Sequence, residues 1–174
     1  MNKVFEIIEA KKIFNFKYSQ IDMIIHHQSY LHAIVKFNNG LTKILIHDTN
    51  MAIPIFNSLY DKSNFTIKSD PLNFKILNNL ELHKMDKNRF PIIKIIDKLI
   101  EKDSLFETVI VTANDYLVNK FLKNQIKFTD ISDRLLKITS RKEFQKFKNI
   151  KPKNVDDISK LVDYVCLKMN TMRV

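Results

Sequence analysis

Hydrophobic and polar residues alternate in two neighbouring runs within the first third of the chain. In the stretch HAIVKFNNGLTKILIHD both runs have the two-residue period of β-strands, and Asn38-Asn39-Gly40 lies between them. An Asn-Gly pair between such runs predicts a β-hairpin. Apolar residues occur on both faces of each run, so we expect the hairpin to be covered on both sides, by helices or by a partner subunit. The preceding stretch IDMIIHH predicts a further strand.

Helical spacing of apolar residues dominates the rest of the chain. Val4, Phe5 and Ile8 lie on one side of a predicted N-terminal helix, and MAIPIFNSLY predicts a short second helix. RFPIIKIIDKLIEK has a proline in a favoured first-turn position, and NVDDISKLVDYVCLKM has two aspartates in its first turn, so both predict longer helices. The predicted fold class is therefore α+β: a small β-sheet with a hairpin and flanking helices, followed by a C-terminal helical bundle.

Composition restricts the class of protein. The length of 174 residues and the mass of 20.6 kDa suit one domain or two small ones. A single cysteine, Cys166, excludes an internal disulfide framework and fits a reducing compartment. Lys, Asn or Asp interrupts every Ile-rich segment, so no membrane span is expected, and the acidic residues near the N-terminus favour a cytoplasmic location over secretion. Gly40 is the only glycine, which excludes G-x-G-x-x-G and P-loop nucleotide sites.

The net charge of +10 is of the kind that nucleic-acid-binding proteins carry. The lysines, however, are spread along the chain, and acidic residues accompany them. The densest basic segment is RKEFQKFKNIKPK, in which Phe144 and Phe147 have the spacing of a core-facing stripe. A solvated basic face is therefore favoured over a nucleic-acid-binding protein, which would need its lysines clustered on one surface and would bind with a steep salt dependence.

Three of the five histidines, His26, His27 and His32, lie within the nine residues IIHHQSYLH. Metal-binding imidazoles need a spacing that brings their nitrogens to one point. Adjacent residues on a strand point to opposite faces, and the cluster contains neither cysteine nor an acidic residue. Histidines with a structural role in a strand and loop are favoured over a zinc site.

Five motifs, in order, resemble the second half of 1-deoxy-D-xylulose 5-phosphate reductoisomerase, and together they cover nearly the whole chain. They are MNKVFEIIEAKKIFN, IIHHQSYLHAIVKFNNG, NMAIPI, NRFPIIKI and TANDYLVNKFLKNQIKFTDI. The resemblance implies an NADPH-dependent rearrangement and reduction of a sugar phosphate to 2-C-methyl-D-erythritol 4-phosphate, in the non-mevalonate pathway of isoprenoid biosynthesis. In that family a divalent metal, Mg²⁺ or Mn²⁺, chelates and polarises the substrate oxygens.

The same resemblance implies roles for individual residues. Asn2 and Lys3 match the pair that holds the substrate, and Glu6 matches the metal-binding glutamate of M-N-K-x-x-E, so Lys3 and Glu6 are the candidate catalytic residues and all three contact substrate. Helical spacing lets the three face one site. Because Mg²⁺ and Mn²⁺ prefer carboxylate oxygens, the histidines are not expected to bind the metal.

Further candidate positions lie in the middle motifs. Ser29 and His32 match residues that line the substrate site, and Met51 matches a position lining the active site that we assign to the cofactor. His26, at the other histidine position of the motif, is interpreted as structural.

The chain departs from the family pattern in three motifs and in extent. The altered positions are His27 in H-P-Q-S, Thr49 and Asn50 in P-D-M, and Val111, Thr112 and Asp115 in N-A-A-N-E. The chain begins at the M-N-K motif, so we expect the dinucleotide-binding domain, with its other carboxylate ligands, to be missing. A single carboxylate holds Mg²⁺ or Mn²⁺ poorly, which predicts that this chain alone has no reductoisomerase activity and binds neither cofactor well.

The resemblance also implies a domain organisation. Residues 1–60 are predicted to be the C-terminal part of the catalytic domain, 61–75 a linker, and 76–174 the C-terminal helical domain. The expected partner is a second copy that pairs through the catalytic sheet, or a separate N-terminal domain. The chain is interpreted as part of an enzyme, and the alternative is a non-catalytic remnant or partner-binding scaffold derived from the family.

Overall fold

The computed structural model describes residues 1–60 and 64–172, which contain short strands and mostly helices. The α+β class is confirmed. The α-helices are α1 (Asn2–Phe14), α2 (Ala52–Leu59), α3 (Phe74–Leu77), α4 (Phe106–Leu122), α5 (Phe128–Thr139), α6 (Lys142–Gln145) and α7 (Val155–Thr171). The strands are β1 (Ile24–Ile25), β2 (Leu31–Lys36), β3 (Thr42–Ile46) and β4 (His83–Lys84), and 3₁₀ helices span Tyr18–Gln20, Pro91–Lys98 and Lys146–Asn149.

The described residues form two compact units. The first combines Met1–Met23 with Asp86–Val174, and the second is Ile24–Met85. The predicted boundaries at residues 60 and 75 are therefore not those of the compact units, because α1 packs against the 3₁₀ helix Pro91–Lys98. Residues 61–63 of the predicted linker lie outside the described residues. The division into a catalytic part and a helical domain refers to the longer reductoisomerases and stays a prediction.

The core of the first unit is a helical bundle centred on α4, which packs against α5 and α7. Apolar residues at helical spacing fill the core and are at most 5% exposed. They include Phe106, Ile110, Leu117, Leu135, Ile138, Phe144, Leu161 and Val165. The first turn of α7 contains Asp156 and Asp157, as the sequence predicts, and the side chain of Asn154 caps the helix by accepting a hydrogen bond from the backbone N–H of Asp157 at 2.9 Å.

The segment RFPIIKIIDKLIEK folds differently from its prediction. Instead of an α-helix with one apolar stripe, Pro91–Lys98 is a 3₁₀ helix, and the backbone is already extended at Leu99. Three residues per turn place Ile92 and Ile95 on the same side, and both are buried. The ammonium group of Lys98 donates hydrogen bonds to the carbonyl of Leu136, at 2.8 Å, and to a hydroxyl at the C-terminal end of α5. These hydrogen bonds tie the end of the 3₁₀ helix to the C-terminal end of α5.

The second unit contains two separate two-stranded antiparallel sheets, β2–β3 and β1–β4. The predicted hairpin is confirmed, with Ile34 opposite Ile44 and with Gly40 in the left-handed region at φ 87°. The stretch predicted as a separate strand contributes only the two residues of β1. Ile44 and Leu45, which point to opposite faces, are 53% and 57% exposed. The helices described in this unit therefore leave both faces open, and coverage by a partner stays a prediction.

Within the described ranges, none of the helices combines the length and the hydropathy that a membrane span requires.

Candidate functional site

The first turns of α1 bring three predicted site residues together. The Asn2 amide Nδ2 donates to Glu6 Oε1 at 2.7 Å, and the Lys3 ammonium Nζ lies 2.6 Å from Glu6 Oε2. The side chains of Lys3 and Glu6 are 64% and 43% exposed, so solvent reaches this group. An ammonium, an amide and a carboxylate thus lie side by side at one end of a helix.

The outward position of these three residues follows from the pattern of α1. Val4 and Ile7 are buried on the opposite side of the helix and hold it against the first unit. The carbonyl of Met1 accepts hydrogen bonds from the N–H groups of Val4 and Phe5, which closes the first turn without a side-chain cap. Asn15 ends the helix in the left-handed conformation at φ 54°.

A partly buried charged cluster fixes the other end of α1. The Lys12 ammonium lies 2.6 Å from Asp103 Oδ1 and 3.0 Å from Glu107 Oε2, and the Tyr18 hydroxyl donates to Glu107 Oε1 at 2.9 Å. Glu107 is in the first turn of α4 and is only 8% exposed. We call Lys12, Tyr18, Asp103 and Glu107 the anchor cluster. It ties α1 and the following turn to the start of α4.

The anchor cluster shifts the ionisation of its members. Burial, together with the neighbouring Glu107 carboxylate, raises the pKa of the Tyr18 hydroxyl. The hydrogen bond from Lys12 lowers the pKa of Asp103. Burial alone would lower the pKa of Lys12, but the two carboxylates that it contacts raise it above the usual value. These pKa shifts keep Asp103 ionised, Lys12 charged and the Tyr18 phenol neutral at neutral pH.

Sequence reasoning missed the anchor cluster. Glu107 stands in the mostly apolar stretch FETVIV, and a lone acid at a core-facing helical position is a signal that could have found it. Its partners could not be read from the sequence, because Tyr18 is 89 residues away.

In the second unit, the predicted residue His32 lies on β2. Its ring stacks face to face on that of His47, with centroids 3.5 Å apart and planes 2° from parallel. Its Nε2 lies 3.2 Å from the carbonyl oxygen of His47, so Nε2 carries a proton and donates. His47, which the sequence analysis did not single out, therefore fixes the orientation of the His32 ring.

Two further residues in the middle of the chain occupy turns. Ser29 has a positive φ of 53° and its N–H donates to the carbonyl of His26 at 3.4 Å. The Nδ1 of His26 lies 3.4 Å from the carbonyl oxygen of Glu81, and the structural role of His26 stays a prediction. Nε2 of the same ring is buried with no hydrogen-bond partner among the described residues.

The predicted cofactor residue Met51 precedes α2 and is 67% exposed. Next to it, Asn50, which replaces the aspartate of P-D-M, accepts a hydrogen bond from the N–H of Ala52 at 2.9 Å. An aspartate could accept the same bond, so this substitution keeps the turn while removing a negative charge.

The described residues of this chain do not provide a complete divalent-metal site. No group of three His, Cys, Asp or Glu side chains comes together among them with metal-binding geometry. Glu6 is the one carboxylate of the α1 group, and both of its oxygens are already held, by Asn2 and Lys3. Mg²⁺ and Mn²⁺ require about six oxygen ligands, so most of them would have to come from elsewhere.

The chain combines an Asn-Lys-Glu group on its first helix with a helical bundle and two small β-sheets, and one protein-family model matches it. Residues 47–165 match the family model of the DXP reductoisomerase C-terminal domain. The chain belongs to this family, which confirms the resemblance of its motifs.

Individual reductoisomerases are similar to this chain over most or all of its length. The chain is 61% identical over 174 residues, its whole length, to 1-deoxy-D-xylulose 5-phosphate reductoisomerase of Pelagibacter ubique (strain HTCC1062), and covers 45% of that protein. It is 33% identical over 163 residues, 94% of its length, to the reductoisomerase of Sulfurihydrogenibium sp. (strain YO3AOP1), of which it covers 42%. The chain thus spans less than half the length of these relatives.

Solved structures share the fold. The reductoisomerase from Zymomonas mobilis in complex with NADPH superposes with a TM-score of 0.83 at 23% identity, over 96% of this chain and 43% of that one. A DOX-P reductoisomerase with fosmidomycin and magnesium gives a TM-score of 0.85 at 24% identity, over 98% of this chain and 43% of that one.

Proposed function

We propose that this chain is the C-terminal portion of a 1-deoxy-D-xylulose 5-phosphate reductoisomerase. The complete enzyme would convert its sugar-phosphate substrate to 2-C-methyl-D-erythritol 4-phosphate, with NADPH as reductant and Mg²⁺ or Mn²⁺ as metal. One observation carries the proposal: the side chains of Asn2, Lys3 and Glu6 converge on one exposed turn. They do so in a chain that matches a named reductoisomerase at 61% identity over its whole length.

Each member of the α1 group has chemistry suited to this substrate. The Lys3 ammonium supplies positive charge and up to three hydrogen bonds to phosphate or hydroxyl oxygens. The Asn2 amide can both donate to and accept from substrate hydroxyls. Glu6 offers a carboxylate oxygen of the kind that Mg²⁺ and Mn²⁺ bind. Their existing contacts with one another keep the three side chains ordered before substrate arrives.

Two residues of the second unit are proposed to contact substrate in the complete enzyme. Ser29 offers a hydroxyl, and His32 offers an imidazole whose ring is held in place by its stack on His47. Met51, exposed ahead of α2, is proposed to lie beside the cofactor.

The 174 residues alone are proposed to be inactive. A single carboxylate leaves most metal ligands unsupplied, and neither nucleotide-binding glycine motif is present. The missing groups would come from a dinucleotide-binding domain. The open apolar faces of the β2–β3 hairpin are proposed to pair with that domain or with a second copy in a homodimer.

A chimaera tests the proposal directly. The matching 45% of the Pelagibacter ubique relative is replaced by this chain, and substrate-dependent NADPH oxidation is measured. We expect an active enzyme, with kcat/KM reduced about a hundredfold or more by Glu6→Gln and by Lys3→Met. Glu9→Gln, on an exposed position of the same helix, is the matched control and should keep full activity. If the folded chimaera is active and Glu6→Gln leaves its kcat/KM unchanged, the proposed site is refuted.

The altered P-D-M and N-A-A-N-E motifs favour a second candidate, a non-catalytic remnant or partner-binding scaffold. Under that function the chimaera would fold and show no turnover, and neither Glu6→Gln nor Lys3→Met would change any measured property.

A further inference from the structure

The most basic segment of the sequence, residues 141–153, borders a groove in the first unit. Six of its thirteen residues are Lys or Arg and one is Glu, so it carries half of the net charge of +10. The groove has a volume of about 450 Å³. We call it the lysine groove. Its floor contains Leu105, Phe147, Leu161 and Tyr164, and its rim contains Lys146, Lys151, Lys153 and Lys160.

The four rim lysines form no close ion pair within the described part of the chain, although Lys151 lies near enough to Asp103 to help lower the pKa of that carboxyl. No carboxylate of the described residues lies within 4.0 Å of any of the four rim ammonium groups. Asp157 is the acid that lines the groove, and its Oδ2 accepts the backbone N–H of Lys153 at 2.9 Å as part of the start of α7. In contrast, Lys3 and Lys12 on α1 are both paired with carboxylates. Four ammonium groups that form no close ion pair with a described carboxylate therefore border the groove.

The floor has the character of a protein-binding surface. Leu105 and Leu161 are 5% and 4% exposed and form an apolar base between the lysines. An apolar, aromatic centre inside a polar rim is the usual anatomy of a protein interface. The rim lysines are exposed, so the groove is open along its length to a chain passing over it.

The aromatic rings favour a protein over a nucleic acid. Phe147 and Tyr164 meet at 61° with centroids 5.8 Å apart. The Lys146 ammonium lies 5.0 Å from the first ring centroid and 5.3 Å from the second, and Lys168 lies 5.8 Å from the second. Single-stranded nucleic acids are held by bases that stack on free ring faces. Here lysines already lie over the rings.

We propose that the lysine groove binds an acidic segment of a partner protein, with an apolar side chain on the floor and carboxylates against the rim lysines. This interaction is separate from the proposed catalytic function, because no residue of the α1 group takes part.

The test uses the complete 174-residue chain and short labelled peptides, with binding measured by fluorescence anisotropy. The probe is a peptide in which a leucine is flanked on both sides by glutamates. We expect saturable binding that weakens as salt is raised and falls about tenfold when the leucine is replaced by serine or the glutamates by glutamines.

Variants locate the binding site. Lys153→Glu with Lys160→Glu should weaken the probe about tenfold or more, and the milder Lys153→Gln with Lys160→Gln should weaken it less. The control, Lys123→Glu with Lys137→Glu, changes charge equally at exposed positions outside the groove and should bind nearly as the unchanged chain does.

Three results would overturn the proposal. One is the absence of peptide binding by a chain that melts normally in circular dichroism. Another is equal weakening by the groove and control variants, which would indicate unspecific attraction to a basic surface. The third is groove-dependent binding of an oligothymidylate with no binding of the peptide, which would assign the surface to nucleic acid.

Discussion

Replacing Glu107 by glutamine tests whether the anchor cluster holds α1 in place. The substitution keeps the size of the side chain and leaves the Tyr18 hydroxyl an oxygen to donate to. It removes the charge that lies 3.0 Å from the Lys12 ammonium. Lys12 keeps its 2.6 Å contact with Asp103, so its ammonium group still has a carboxylate partner.

The size of the effect follows from this geometry. Removing one partner of a fully buried ion pair costs about 3–5 kcal/mol. The Lys12 side chain is 38% exposed and retains one partner, so we expect less, about 2 kcal/mol, near the value for a hydrogen bond to a charged group. For a chain of this length that loss lowers the Tm by about 4–8 °C.

The assay is thermal unfolding followed by circular dichroism, with hydrogen exchange of the α1 amides as a local readout. Glu9→Gln, exposed on α1, is the control and should leave the Tm unchanged. Relative to the unchanged chain, Glu107→Gln should speed hydrogen exchange of the α1 amides more than that of the α7 amides, because the lost contact holds α1. A Tm within about 1 °C of the original, or uniform exchange changes throughout the first unit, would show that the anchor cluster does not carry this stability.

Two other predictions concern stability in the same unit. The pKa of Asp103 is lower in the folded chain than in the unfolded chain, so its ionised carboxylate stabilises the fold above the unfolded pKa, and this stabilisation is lost as the pH falls through the folded pKa. Asp103→Asn should therefore make the free energy of unfolding less dependent on pH in that acidic range. An unchanged pH dependence would contradict this prediction. Asn154→Ala removes the cap of α7 and should cost about 1 kcal/mol in urea unfolding, whereas Asn154→Ser should restore most of it; equal stability of the two variants would be inconsistent with capping.

The sequence predicted one part of the candidate site and missed another. Spacing on a helix was enough to place Asn2, Lys3 and Glu6 together, because residues one turn apart meet wherever the helix lies. Their proposed roles came from the family motif and not from spacing. His47 was missed, because its contact with His32 depends on how β2 and β3 pair across the hairpin.

The sequence could not predict how the basic side chains are arranged in the folded chain. Along the chain the lysines are interspersed with acids, and a solvated surface was the favoured interpretation. In the folded chain Lys146 and Lys160, fourteen positions apart in the sequence, border the same groove, while several other lysines are paired with carboxylates. The sequence located the basic segment 141–153, but only the folded chain shows that Lys160 of α7 borders the same groove.

The sequence by itself determined the elements whose causes are local. The hairpin follows from two alternating runs and from Gly40, which adopts a positive φ without strain, and the start of α7 follows from the Asn154 cap. Only the tertiary structure decided the 3₁₀ form of Pro91–Lys98, the anchor cluster and the lysine groove. Each depends on partners distant in the chain, as in the 89 residues between Tyr18 and Glu107. Local preferences are fixed by nearest neighbours, whereas such contacts exist only after the helices have packed.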